Sequence, residues 1–142
     1  MKKIDWATDR DLYNHLVISE GKILKPYTCS RGYTTIGIGR NLEMNGISDL
    51  EAELMCLNDI RHCQADLDNH LSWWRGLTPA AQFVLIDMCF NMGITKLRKF
   101  SRTLNLLKNG QYESASYEML NSSWAGQVGG RAEKLSLMIR GK

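Results

Sequence analysis

The pattern of apolar and polar positions divides the chain of 142 residues into a first helix, a short β-rich stretch and a long helical remainder. Apolar positions at helical spacing predict a helix over residues 9–19, with Glu20 at its end and Gly21 placed to cap it. Residues 33–39 alternate with period two instead, and their β-branched members favour a strand. Residues 25–42 are therefore predicted to form a small β region.

Glycine is frequent in this region, at Gly32, Gly37 and Gly39. Three glycines in eight residues indicate a bend, or a point where another group approaches the backbone closely. Pro26 has no backbone N–H and fits an edge strand or the start of a strand. On these features alone, a ribbon of hairpin strands packed on a helix accounts for the stretch.

A long helix is predicted to follow the β region. Asn45-Gly46 marks a turn, and Ser48 with Glu51 has the pattern of a capping box, in which each residue bonds the backbone N–H of the other. The helix should run from Asp49 to about His70, and Cys63 and Leu67 belong to its predicted inner stripe, together with Ala52, Met55, Cys56, Asp59 and Ile60.

Thr78-Pro79 starts another helix, which is predicted to end near Asn91. It is apolar on almost every side, which predicts the central buried helix, and Asp87 inside it must face outward or be paired. Shorter helices are predicted near residues 97–100, 101–108, 111–122 and 131–140. The predicted fold class is α+β: a mostly helical lobe joined by the long helix to a small β lobe.

Composition and charge narrow the classes of function. Hydrophobic residues make up 44% and charged residues 23% of the chain, as in ordinary globular domains. The net charge of +3 favours an anionic polymer without specifying one, and without a basic cluster carrying interleaved aromatic residues we expect no nucleic-acid partner. Residues 1–6 are basic but are followed by charged and polar positions, so we expect neither a signal peptide nor stable membrane insertion.

The cysteines and tryptophans have ordinary interpretations. Cys29, Cys56, Cys63 and Cys89 lack metal-ligand spacing with one another or with the three histidines, so no metal or cofactor is expected. Free thiols are expected, the last three behaving as small apolar residues. The Trp73-Trp74 pair fits a structural role or, if exposed, stacking on sugar rings.

The most specific pattern begins at Glu20. Eight residues separate it from Cys29, five more precede Thr35, and an Ile-Gly-x-Gly run follows. This spacing resembles the active-site stretch of phage-type lysozymes, the endolysins of glycoside hydrolase family 24. Further similarities follow in order along most of the chain, at residues 46–48 with 51–53, 87–93, 100 and 123–132. Together these motifs are far more specific than any one of them.

The resemblance implies a single lysozyme-like domain over residues 1–142 with two lobes and a groove between them. Its β lobe would be residues 20–47, its interlobe helix residues 48–70, and its helical lobe residues 71–142 with the N-terminal helix. The implied reaction is hydrolysis of β-1,4 bonds between N-acetylmuramic acid and N-acetylglucosamine in peptidoglycan. The implied setting is host lysis by a monomer made in the host cytoplasm and released through a holin pore to the periplasm and cell wall.

The resemblance also implies roles for individual residues. Glu20 matches the general acid, and Thr35 matches a threonine that helps to position water on the opposite face of the sugar. Asn91 matches an amide that contacts substrate, and Gly39 in the Ile-Gly-x-Gly run is expected to adjoin substrate as well. Arg131 matches an arginine that pairs with the catalytic glutamate.

Two positions depart from the common pattern of the family. Cys29 stands where many members carry aspartate, so the roles of base, nucleophile and water-positioning group stay open beside that of a packed thiol. Arg40 stands where the T-even branch carries a histidine, which puts a histidine–acid pair at that place in doubt.

The cysteine leaves two alternatives to a hydrolase. In a lytic transglycosylase one acid suffices, because the 6-hydroxyl of the sugar attacks and no water has to be positioned. The presence of Thr35, which matches a water-positioning residue, argues against this hypothesis. The other alternative is a glycan-binding homologue with little activity. A cysteine peptidase is remote, because no histidine has a motif that places it beside Cys29.

Overall fold

The computed structural model describes residue 3 and residues 6–141, with side chains at residue 3 and from residue 9 to residue 141. Its helices are α1 (Trp6–Glu20), α2 (Leu42–Asn45), α3 (Asp49–His70), α4 (Pro79–Met92), α5 (Ile94–Leu97), α6 (Ser101–Lys108), α7 (Tyr112–Leu120), α8 (Ser123–Val128) and α9 (Gly130–Ile139), with a 3₁₀ turn at Trp74–Gly76. The strands β1 (Ile23–Thr28), β2 (Thr34–Gly37) and β3 (Arg40–Asn41) form a small antiparallel sheet. The α+β class predicted from the sequence is confirmed.

Contacts between Cα atoms divide the chain into two compact units, Met1–Glu53 and Leu54–Lys142. The first unit contains α1, the sheet and the start of α3, and the second contains the rest of α3 and the later helices. The arrangement of two lobes around a groove, with the N-terminal helix in the helical lobe, stays a prediction. The prediction that residues 1–6 belong to neither a signal peptide nor a membrane-inserted segment falls largely outside the described residues. Within residues 6–141, no helix combines the length and the apolar character that crossing a membrane requires.

The sheet has the order β1-β2-β3, so β1 is an edge strand. Its register with β2 shifts between Ile23 and Tyr27, and Pro26 lies at that irregularity. Proline cannot donate to a strand ladder, which is why an edge strand with an interrupted register accommodates it. The edge placement predicted for Pro26 is confirmed.

The start of α3 has the predicted capping box. The N–H of Ser48 donates to Oε1 of Glu51 at 2.8 Å, and the N–H of Glu51 donates to Oγ of Ser48 at 3.2 Å. The helix bounds also agree with the prediction. Glu51 has a second partner that the capping pattern does not show: the guanidinium of Arg40 donates to both of its carboxylate oxygens, at 2.9 and 2.6 Å.

The core of the second unit is built mainly from one face of each helix. Its buried apolar side chains are Cys63, Leu67, Leu71, Trp74, Ala81, Val84, Leu85, Met88, Cys89, Leu97, Leu104, Leu107, Ala115, Met119, Trp124, Ala132, Leu135 and Ile139. Helix α4 supplies five of them, which confirms it as a central helix of this unit.

Two details of the predicted core are wrong. Phe83 and Phe90 of α4 are 54% and 45% exposed, so this helix is not buried on every side. In the inner stripe predicted for α3, Cys63 and Leu67 are buried, whereas Met55 is half exposed and Cys56 is exposed. Apolar periodicity marks a face, but neighbouring elements decide how much of that face is covered.

The paired tryptophans are structural. Trp74 is 1% exposed, and its indole N–H donates to Oδ1 of Asp68 at 2.7 Å. Arg75 covers the Trp74 ring, with its guanidinium carbon 4.6 Å from the centroid, and also bonds Asp68. Trp73 packs partly buried against the core. Trp74 therefore offers no face for stacking on sugar.

Leu85→Ala is expected to lower the free energy of unfolding by about 3 kcal/mol, because Leu85 is fully buried and its truncation leaves a cavity. Phe83→Ala, two residues earlier on the same helix, is the matched control. Since Phe83 is about half exposed, its truncation should cost less than about 1 kcal/mol. Urea unfolding measures both values, and equal losses would contradict the assignment of the buried face.

Glu51→Gln is expected to reduce the acid sensitivity of the fold. Hydrogen bonds from Arg40 and from Ser48 lower the pKa of Glu51 to about 2. The folded state therefore binds fewer protons than the unfolded state as the pH falls below the ordinary glutamate pKa of about 4.3. This stabilisation is present above about pH 4.3 and is lost as the pH falls towards 2.

Urea midpoints measured in this pH interval should fall more steeply for the wild type than for Glu51→Gln. The control is Glu118→Gln, because Arg102, which pairs with Glu118, is 4.0 Å away and 85% exposed. This control should keep the wild-type slope. The same slope in all three proteins would show that the Arg40–Glu51 pair carries no pH-dependent stability.

Candidate active site

Glu20 is the last residue of α1, and its carboxylate lies against the backbone of Gly39. A Cβ built on Gly39 would lie 2.7 Å from Oε2 of Glu20 and 3.0 Å from its Cδ. Gly39 also has φ +66°, a conformation that glycine adopts at little cost. The close approach predicted for the glycine-rich run therefore occurs at Gly39, and the approaching group is the Glu20 carboxylate.

Helix α1 ends at the position that the sequence indicated. Gly21 has φ +79°, and its N–H donates to the carbonyl of Val17 at 2.9 Å. This left-handed glycine ends the helix directly after Glu20 and lets the chain turn into β1. The local sequence thus fixes where the carboxylate leaves the helix, and the β2–β3 turn supplies the surface beside it.

Cys29 lies in the loop of residues 29–33 between β1 and β2. The N–H of Cys29 donates to the carbonyl of Tyr33 at 2.9 Å, and the N–H of Gly32 donates to the carbonyl of Cys29 at 2.9 Å. Gly32 has φ +86°, which closes the loop without strain. The Cys29 side chain is half-buried in this tight turn.

The loop stabilises the ionised form of the Cys29 sulfur. The backbone N–H of Tyr33 makes the largest contribution, followed by that of Arg31, and both lower the pKa of Cys29 below its ordinary value. The hydroxyl of Thr35 acts in the same direction. The Cys29 thiol is therefore surrounded by hydrogen-bond donors suited to a thiolate.

The other thiols have different surroundings. Cys63 and Cys89 are buried and hydrogen-bonded to each other, and burial raises the pKa of both, that of Cys89 to about 12. These two residues are the small apolar core residues that the sequence predicted. The same residue type thus serves as packing in the helices and as an acidic thiol in the loop.

Thr35 lies on the middle strand of the sheet, opposite Tyr27 of β1 and Asn41 of β3. It is 3% exposed, and its Oγ1 donates to the carbonyl of Tyr33 at 2.9 Å. When its single proton turns to the Cys29 sulfur instead, the same hydroxyl lowers the pKa of that thiol. The structure therefore brings Thr35 and Cys29 together, as their spacing around a hairpin requires.

Asn91 lies near the end of α4 in the second unit, and its Oδ1 accepts a hydrogen bond of 2.8 Å from the indole of Trp124. Phe100 packs edge-on against Trp124, with ring centroids 6.0 Å apart. All three line an open cavity of about 790 Å³, whose rim includes Lys99 and Glu118. The hydrogen bond to Trp124 fixes the orientation of the Asn91 amide beside this cavity.

Arg131 is paired with Asp87, through Nη2 at 2.8 Å and Nε at 2.9 Å. Of the two alternatives predicted for Asp87, facing outward or being paired, the structure shows the pairing. Both residues border a shallow, mostly apolar groove of about 380 Å³ that includes Phe83 and Phe90. The predicted pairing of Arg131 with Glu20 joins residues of different units and stays a prediction.

Sequence reasoning named Glu20, Cys29 and Thr35 as site residues but missed two contacts of the first unit. The partner of Arg40, Glu51, is eleven residues away along the chain and was seen only as a capping residue. Gly39 was identified by its place in a run, not as a neighbour of Glu20. Across residues 3 and 6–141, no group of three or more His, Cys, Asp or Glu side chains is arranged to hold a metal ion.

A carboxylate at a helix end and a hairpin carrying a thiol and a threonine define an α+β protein with a candidate acid–base site. The sequence model of the Phage lysozyme family matches residues 18–140, so the chain belongs to that family. This range includes each of the site residues predicted from the resemblance.

The chain is also similar to individual proteins, at modest identity. The chain is 26% identical to the pre-baseplate central spike protein Gp5 of Enterobacteria phage T4, in an alignment that covers 84% of this chain but only 26% of that protein. It is 24% identical to each of the probable T4-type lysozymes 1 and 2 of Dictyostelium discoideum, over 87% of this chain and 90% of each relative.

Alkylation of the four thiols should follow their surroundings. Because its pKa is lowered, Cys29 has more thiolate at neutral pH than an ordinary cysteine, and it should react with iodoacetamide faster than the exposed Cys56. Cys63 and Cys89 should react only after unfolding. Peptide mass spectrometry over a time course measures the order.

Thr35→Val, which removes one hydrogen-bond donor, should slow the alkylation of Cys29. An unchanged alkylation rate would contradict the contact of the Thr35 hydroxyl with the Cys29 sulfur.

Proposed function

We propose that this protein is a muramidase that hydrolyses the β-1,4 bond between N-acetylmuramic acid and N-acetylglucosamine in peptidoglycan. The observation that carries the proposal is the family match over residues 18–140, which contains Glu20, Cys29 and Thr35 at the spacing of the family motif. The first unit supports it, because Glu20 supplies the acid of the usual two-carboxylate scheme, and Cys29, whose pKa is lowered, is the candidate for the second group.

In this proposal Glu20 is the general acid that protonates the leaving glycosidic oxygen. A side chain at residue 39 would collide with this carboxylate, so the absence of a Cβ at Gly39 leaves the acid in its place. Gly39 then adjoins both the acid and the bound sugar, and Asn91 contacts substrate from the edge of its cavity.

Cys29 and Thr35 then act on the water. The donors around Cys29 favour a thiolate, which replaces the carboxylate of many relatives as a negative group and as an acceptor for a water proton. Thr35 has one hydroxyl proton and two acceptor lone pairs, so it can orient a water while it bonds the Tyr33 carbonyl or the sulfur. The lowered pKa and the partial exposure of Cys29 support this role over that of a packed thiol.

One observation keeps a lytic transglycosylase as the second candidate: the position of the second carboxylate is occupied by Cys29. A transglycosylase needs no activated water, so a thiol there would be harmless. The products separate the two reactions. Hydrolysis leaves reducing muramic acid ends, and transglycosylation leaves 1,6-anhydro ends.

The proposed biological role is lysis of a bacterial host as an endolysin. The enzyme would accumulate as a monomer in the host cytoplasm and reach the periplasm and cell wall through a holin pore. The match to the Phage lysozyme family and the similarity to a protein of phage T4 support this role. Expression in a bacterium with and without a holin tests it, because lysis should require both proteins.

Glu20→Gln is expected to lower the rate of lysis by about 10²–10⁴-fold, because an amide cannot donate the proton that the leaving oxygen needs. Turbidity decay of Gram-negative cells with a permeabilised outer membrane measures the rate, and mass spectrometry identifies the products. Glu113→Gln, at an exposed glutamate in the first turn of α7, is the matched control and should keep full activity. A folded Glu20→Gln protein with the wild-type rate would exclude Glu20 as the acid.

A further inference from the structure

The turn that supports Glu20 is anchored at its next residue. Gly39 ends the loop between β2 and β3, and Arg40 starts β3, where it pairs with Ile36 across the hairpin. Because Gly39 contacts the carboxylate with its backbone, no flexible side chain is available to absorb a shift of the turn. The position of Arg40 therefore sets where the surface beside Glu20 lies.

The Arg40 side chain is held at three points. Its Nη1 donates to Oε1 of Glu51 at 2.9 Å and to the carbonyl of Gly46 at 3.1 Å, and its Nη2 donates to Oε2 of Glu51 at 2.6 Å. Glu51 is itself fixed, because its Oε1 also accepts the N–H of Ser48 at 2.8 Å. This bidentate pair joins the end of the sheet to the first turn of α3.

We propose that Arg40 and Glu51 are positioning residues that hold the Gly39 turn against Glu20 and so orient its carboxylate for proton donation. The inference rests on the proposed function of Glu20 and adds a role for two residues outside the catalytic motif. Neither residue needs to touch substrate. Their effect reaches Glu20 through the peptide bond between Gly39 and Arg40.

Because the Arg40–Glu51 pair is partly exposed, we expect it to affect the position of the Glu20 carboxylate more than the stability of the fold. The two side chains are 39% and 43% exposed, so solvent screening limits the stability that the lowered pKa of Glu51 contributes. A displacement of about 1 Å in a catalytic group, in contrast, costs up to about 100-fold in rate. Loss of the pair should therefore reduce turnover far more than it reduces the melting temperature.

Three variants test the proposal. Arg40→Met removes the bidentate Arg40–Glu51 pair, called the clamp below. The double variant Arg40→Met with Glu51→Met removes the clamp without changing the net charge. Both should lower kcat by about 10-fold and change KM by less than about two-fold, because a misplaced acid affects the chemical step. Arg40→Lys keeps the charge but not the bidentate geometry and should restore part of kcat.

Arg75→Met is the matched control. Arg75 makes a bidentate pair with Asp68, at 2.7 and 3.1 Å, in the second unit and outside the predicted site. This variant should lower the melting temperature, since Arg75 also covers Trp74, and leave kcat unchanged. The comparison of Arg75→Met with Arg40→Met therefore distinguishes a general effect of losing an ion pair from the effect of losing the Arg40–Glu51 pair.

A second measurement does not depend on activity. In protein labelled with ¹³C at glutamate, the side-chain carboxyl resonance of Glu20, assigned with Glu20→Gln, reports the surroundings of that group. It should move in Arg40→Met and in the double variant, and stay in place in Arg75→Met. An active wild type whose kcat and Glu20 resonance are unchanged in both clamp variants would overturn the positioning role and leave the muramidase proposal intact. An inactive wild type would overturn the muramidase proposal, and the resonance alone would then decide whether the clamp places Glu20.

Discussion

The contact between the Glu20 carboxylate and the backbone of Gly39 is the constraint on which the candidate site depends. It requires a helix that ends at Glu20, a β2–β3 turn in which Gly39 has a positive φ, and no Cβ at that residue. Each requirement is met by a glycine: Gly21 ends the helix, and Gly39 makes the turn and leaves space for the acid. The carboxylate is thus positioned by backbone, which moves less than side chains do.

In the hairpin of β1 and β2, the backbone surrounds a second reactive group, the Cys29 thiol. Its loop directs peptide N–H groups at the Cys29 sulfur, and the neighbouring strand places the Thr35 hydroxyl at the same atom. Hydrogen bonds of this kind favour an anion whether it is a carboxylate or a thiolate. A loop that stabilises negative charge can therefore accept a cysteine or an aspartate at this position without any change in fold.

Two of the ion pairs among the described residues, Arg75–Asp68 and Arg40–Glu51, have different consequences. Arg75 and Asp68 surround Trp74 and stabilise the packing of a buried ring. Arg40 and Glu51 are about as exposed but join the end of a strand to the start of a helix beside the acid. The value of a partly exposed pair thus depends less on its energy than on which backbone segments it connects.

Local signals in the sequence predicted much of what the structure contains. The capping box of Ser48 and Glu51, the bounds of α3, the Thr78 cap of α4 and the edge position of Pro26 all depend on residues a few positions apart. The short helices α2 and α8 were missed, because four to six residues carry too little periodicity. The exposure of Cys56 and Phe83 was also missed, because periodicity says which side of a helix is apolar but not what covers it.

Short-range signals were enough to predict the end of α1, the bounds of α3, the start of α4 and the motif of Glu20, Cys29 and Thr35, since propensity, capping and spacing act over short distances along the chain. Tertiary contacts, in contrast, place Glu20 against Gly39, bring Thr35 to Cys29, and pair Arg40 with Glu51 and Arg131 with Asp87. These contacts join residues that are six to forty-four positions apart. They depend on how strands pair and helices pack, which no local pattern encodes.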